Sequence, residues 1–141
     1  MPFPGDRRTI LQALAGGMLL GGARPASGAE IPTALTFLPN AQLNPQPFGD
    51  LRIFLNGNTE QLKSLVVGSL ELKPGQSPHP PHRHPEEELM VITEGQGEIS
   101  LEGKVSKVGP GTVMYAGANR EHGIVNTSSG PLTFYFFKWL G

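Results

Sequence analysis

The chain has 141 residues, a formal net charge of −1 and no cysteine, a size that suits one domain closing its own apolar core. Without cysteine there are no disulfides, thiolate nucleophiles or thiolate metal ligands, so any bound ion must be held by nitrogen and oxygen. The 11 lysines and arginines are scattered along the sequence, leaving no basic footprint for a nucleic-acid backbone and arguing against DNA or RNA as partners.

Residues 1–29 read as a signal peptide: a polar start ending in Arg7-Arg8, a Gly-diluted apolar run, and Ser27-Gly28-Ala29 as small residues for cleavage before Glu30. Asp6-Arg7-Arg8-Thr9-Ile10-Leu11-Gln12 resembles the twin-arginine signal pattern, and Arg24 fits it too. The apolar run is too short and Gly-rich for a stable membrane span. The mature chain is therefore expected in the periplasm or secreted.

Residues 30–50, rich in Pro and Asn, read as an irregular N-terminal arm with at most one edge strand. The domain proper is expected over 51–141. It shows strand-length runs at 51–55, 65–72, 88–93, 97–101, 104–108, 112–115, 122–125 and 132–139. Between them lie turn signals at Asn56-Gly57-Asn58, Pro74-Gly75, Glu102-Gly103 and Pro110-Gly111. A short helix fits at 59–63, and Gly95-Gln96-Gly97 reads as a hairpin turn rather than a phosphate loop, since no helix or Lys-Ser/Thr follows. This pattern predicts an all-β protein with two antiparallel sheets, a sandwich or barrel.

The histidines carry the chemistry. Three of the four crowd into Gly75-Gln-Ser-Pro-His79-Pro-Pro-His82-Arg-His84-Pro-Glu-Glu-Glu88, and the fourth, His122, stands before Gly-Ile-Val-Asn126. On an extended strand residues i and i+2 share a face, so His82 and His84 can grip one ion. Parity on the next strand puts Glu88, Met90 and Ile92 on one face and Leu89 and Val91 on the other, selecting Glu88 from the run Glu86-Glu87-Glu88. Imidazole nitrogen with carboxylate oxygen leaves Mn, Fe, Ni, Cu and Zn open. His79, flanked by prolines, is expected at the rim as a solvated or supporting group, Asn126 as a structural hydrogen-bonder, and the aromatic run 134–139 as core and sheet packing.

These residues resemble the two motifs of the cupin superfamily. The first corresponds to Gly75, His82, His84, Glu88 and Gly95, with one extra residue before His82, and the second to Gly111, His122 and Asn126. Gly117 and Asn119 stand where the second motif has Pro and Gly; both tolerate tight turns. The resemblance implies a double-stranded β-helix or jelly-roll barrel in which His82, His84, Glu88 and His122 bind a divalent transition metal with open positions for water, dioxygen or substrate. It implies a homodimer as well, with the arm as a swapped strand. Because one skeleton hosts many chemistries, three readings follow: a metal-dependent oxidoreductase of dioxygenase or oxidase type acting on a small molecule, a non-catalytic periplasmic module binding a small organic acid, sugar or metal, and a metal-independent sugar isomerase or epimerase. The catalytic groups are not identified by the sequence; Glu86, Glu87, His79 and Tyr115 are candidates for proton transfer.

Overall fold

The computed structural model describes residues 30–141; the signal peptide expected at 1–29 lies outside them. The strands are β1 (Gln42–Gln46), β2 (Gly49–Gly57), β3 (Ser64–Leu72), β4 (Glu87–Glu94), β5 (Gly97–Leu101), β6 (Lys104–Val108), β7 (Val113–Ala116), β8 (His122–Val125) and β9 (Leu132–Leu140). They form two antiparallel sheets, one of six strands in the order β1-β2-β3-β9-β4-β7 and one of three in the order β6-β5-β8. This is the expected all-β jelly-roll barrel.

Period-two burial decides which residues meet inside. Along β9 the inward positions are Leu132, Phe134, Phe136 and Lys138, and along β4 Glu88, Met90 and Ile92. Ile99 of β5 and Ile124 of β8 close the core from the smaller sheet against Leu51, Ile53 and Leu70. Each such side chain contributes about 1.5–3 kcal/mol on burial. Gly68 of β3 makes room for the Phe136 ring, because a Cβ there would lie 2.4 Å from its nearest carbon. The aromatic run thus divides by parity: Phe134 and Phe136 enter the core, while Tyr135, Phe137 and Trp139 face outward.

The β5–β6 hairpin turns through Glu102 and Gly103, both with positive φ, as a two-residue turn matching strand twist requires. Gly95-Gln96 is different. It joins β4 of the large sheet to β5 of the small one, so it is a corner between sheets and not the expected hairpin. Its glycines are needed for close approach: a Cβ on Gly95 would come within 2.3 Å of the Pro131 carbonyl oxygen, and one on Gly97 within 2.5 Å of Leu132.

The helix expected at 59–63 does not form. The Thr59 hydroxyl instead accepts hydrogen bonds from the Gln61 and Leu62 amides, the local alternative that threonine offers to helix. In the arm, residues 36–38 are not strand; Leu38–Asn40 is a single 3-10 turn with a proline in its first positions. The edge strand is β1, and it tolerates Pro45 because an edge leaves one side of its backbone unpaired. Asn126, wholly buried, donates to the Leu72 and Gly130 carbonyls at 3.1 and 2.8 Å and accepts from Ser128. It ties the end of β8 to β3, as expected of a structural residue.

Candidate metal centre

His82, His84, Glu88 and His122 come together inside the barrel, each offering a ligand atom within 4.8 Å of the others. Each is brought there by a different local device. His82 and His122 form an isolated antiparallel bridge, exchanging amide and carbonyl bonds at 2.9 and 3.0 Å. That bridge keeps 82–84 extended although no strand covers it, so His82 and His84 are buried on one side while Arg83 is exposed. Glu88 enters by the parity of β4, beside Ala116 of β7 and Lys138 of β9. Asn119, at φ 60°, donates its amide to the His84 carbonyl at 2.8 Å, so the departure at Gly117 and Asn119 still yields a tight turn that braces the cluster.

The hydrogen bonds orient the rings. Nδ1 of His84 faces the Glu86 carbonyl at 3.0 Å and Nδ1 of His122 the Arg120 carbonyl at 2.9 Å. A carbonyl only accepts, so both Nδ1 atoms carry hydrogen, and in a neutral ring Nε2 is then a lone pair. Both Nε2 atoms point at Glu88 Oε2, at 3.0 and 2.7 Å. Lone pairs facing a carboxylate oxygen repel unless a cation lies among them, either a proton on nitrogen or a metal ion.

The titration behaviour reflects this. Burial raises the pKa of the Glu88 carboxyl, but hydrogen bonds from His122 and His84 outweigh it and hold the group below its usual range. Burial lowers His122, yet the bond and charge of Glu88 more than offset it and leave its pKa raised. His82 lacks such a partner; burial first, then neighbouring imidazoles, pull it down to about 3.

The donor set fits a metal. His82 Nδ1 is buried without a hydrogen-bond partner, and three imidazoles and one carboxylate offer donor atoms within 4.8 Å of one another, a nitrogen and oxygen set suited to first-row divalent ions. The Nδ1 bonds to backbone carbonyls are the outer support that metal-binding imidazoles need.

An apolar pocket of about 110 Å³ opens against this cluster, lined at its polar end by His79, Glu88 and His122 and beyond by Leu51, Leu70, Met90, Ile124, Phe134 and Phe136. His79 stacks on His82, ring centroids 3.6 Å apart and 23° from parallel, in the supporting position expected of it. Among the other proton-transfer candidates, the Glu87 carboxylate accepts from Tyr115 on one oxygen and from Trp139 on the other, away from the cluster, and Glu86 lies 3.4 Å from His84 Nδ1.

Sequence reasoning missed three contributors. Lys138 is buried one inward step past Phe136, and burial lowers its pKa against the charges of Glu86 and Glu88; extending the alternation of Phe134 and Phe136 would have found it. Gln46 and Phe48 line the pocket from a stretch read as an arm, and no local signal marks them.

Residues 68–138 match the family of the Cupin domain. Among curated proteins none matches. Solved structures with the same fold include an RmlC-like cupin from Shewanella frigidimarina NCIMB 400, with TM-score 0.67, 11% identity and coverage of 80% of this chain and 96% of that one. KdgF from a Halomonas species aligns at TM-score 0.64 and 18% identity over 76% of this chain and 94% of its own. A predicted oxalate decarboxylase from Thermotoga maritima aligns at 0.61 and 19% over 77% and 100%. At such identities the likeness speaks for the fold alone. With the family match over residues 68–138, the two motifs and the barrel they build, the chain belongs to the cupin family.

Proposed function

We propose that this cupin is an exported metal-dependent oxidoreductase of dioxygenase or oxidase type, acting on a small organic substrate. The observation that carries the reading is one juxtaposition: three imidazoles and one carboxylate converge at the end of an apolar pocket. His82, His84, Glu88 and His122 would hold the ion, from the group Mn, Fe, Ni, Cu and Zn. When bound, such an ion supplies Lewis acidity and, Zn apart, redox capacity. The chain itself contributes orientation and dryness. Backbone carbonyls fix the His84 and His122 rings, and the apolar lining excludes water from the reacting end.

One observation favours a second reading, a binding module for a small organic ligand: among the described residues, and outside the four cluster residues, His79 is the single acid-base side chain lining the pocket. Elemental analysis of protein from its native compartment, followed by oxygen uptake with small enolic and hydroxy acids, separates the two. A redox metal with substrate-dependent oxygen consumption supports the enzyme; tight ligand binding without turnover across those ions supports the module.

Export by the twin-arginine route is part of the proposal, motivated by Arg7-Arg8 before a weakly apolar run. Replacing both arginines with lysine should trap the precursor in the cytoplasm, read by fractionation. Unimpaired export would reject that route and leave simple secretion. A homodimer completes the proposal, since Leu35, Phe37 and Leu38 are 83, 63 and 51% exposed. Sedimentation should give twice the monomer mass, and Phe37→Ser should shift it toward monomer; a monomeric wild type would refute this.

A further inference from the structure

We infer that the pocket selects a small oxygen-donor acid carrying one negative charge and a compact apolar tail, and discriminates against dicarboxylates. This rests on the reading that the cluster holds a metal ion, and it names the substrate class of that site.

Charge is the first argument. A divalent ion held by three neutral imidazoles and the Glu88 carboxylate leaves one net positive charge, enough to balance one oxyanion. A second carboxylate would need its own cation, and among the described residues no lysine or arginine lines the pocket. The one lysine or arginine that is buried among the described residues, Lys138, is displaced from it. It pairs across the strand with Glu88, one inward position past Phe136, and its charge, which acts on Glu86, Glu88 and His122, faces the cluster and not the apolar end where a second carboxylate would lie. A carboxylate pushed among Leu70, Ile124, Phe134 and Phe136 would be buried without compensation, which is costly.

Shape is the second argument. The pocket holds about 110 Å³, somewhat less than the roughly 150 Å³ of an apolar cavity that accepts benzene. A branched tail of three or four carbons fits, and Gln46, at the end of β1, offers a neutral hydrogen-bonding group in the lining. The inner end meets the ligand through Glu88 and His122, so the oxygen-bearing head points to the cluster and the tail toward Phe134 and Leu51.

The test uses three acids with one shared head, titrated calorimetrically into the full mature chain loaded with zinc as a redox-silent ion. Lactate, 2-hydroxyisovalerate and malate all present a 2-hydroxy acid and differ only in a methyl, isopropyl or carboxymethyl tail. With each affinity divided by that for aqueous zinc, 2-hydroxyisovalerate should bind about tenfold tighter than lactate, as two added buried carbons would give, and malate no tighter than lactate. Gln46→Lys, at a partly exposed position that places a cation beside the pocket without burying it in the core, should strengthen malate several-fold relative to 2-hydroxyisovalerate, measured in the same variant. Zinc uptake with malate preferred by the wild type overturns this inference while sparing the metal site. Failure to take up zinc overturns the metal reading and this one with it.

Discussion

Replacing His122 with alanine should reduce bound metal to background, and His82→Ala and His84→Ala should do the same. Metal at a hundred times its dissociation constant stabilises a folded protein by about 2.7 kcal/mol, a rise in melting temperature of roughly 10 °C for a domain of this size. That rise should vanish in the ligand variants. The metal-free His122→Ala protein should itself melt lower than metal-free wild type, because Glu88 is buried and loses its 2.7 Å partner, costing about 1–3 kcal/mol. The metal-induced shift is therefore the measurement that isolates ligation, not the melting temperature alone. His79→Ala removes a stacking ring and should leave metal stoichiometry unchanged. Near-stoichiometric metal in His122→Ala would dismiss the assignment.

Acid should empty the site. His122 is held above its ordinary 6.5 by Glu88 despite burial, so below its raised value the ring carries a proton that metal must displace. Affinity should then fall about tenfold per pH unit for each proton displaced. Competition with a chelator of known pH dependence between pH 7 and 5 measures the slope, and a flat profile would contradict it. The metal-free protein has its own window. The raised His122 contributes stability that is fully present below 6.5 and is lost as pH rises through its folded value. His82, depressed to about 3 from 6.5, acts oppositely: its contribution is present above 6.5 and is lost as pH falls toward 3. Glu88, also depressed, contributes above its ordinary 4.5, and that part is lost only in strong acid. Maximal metal-free stability should thus fall near pH 6.5, with the acid side governed first by His82.

Much of this arrangement is local enough to be read without coordinates. Strand alternation placed Glu88, Met90 and Ile92 inward because parity is a property of the strand itself, and the 97–101, 104–108 and 122–125 runs coincide with β5, β6 and β8. The four residues of the cluster were gathered by motif spacing. What escaped depended on partners distant in sequence. Gly95-Gln96-Gly97 has hairpin chemistry, yet β4 pairs with β7 and β9, a choice made by the core rather than by the turn. Thr59 had two competing local options, and the turn prevailed because five residues are too few to nucleate a helix. The pocket was not legible at all, since its walls come from six strands and the segments before β2 and β4.

On the outer surface of the large sheet, Trp139 donates its indole N–H to the Glu87 carboxylate at 2.8 Å, beside the residue that enters the cluster. Trp139 is the one tryptophan in the chain, and across the β4–β9 ladder Glu87 pairs with Trp139 and Glu88 with Lys138. The protein's indole fluorescence therefore comes from a single ring, on the strand paired with the one that carries Glu88 and hydrogen-bonded to the residue before it. If an ion entering or leaving the barrel turns those segments, the indole lies one strand's thickness away, and the emission of the unlabelled protein should then change with metal titration.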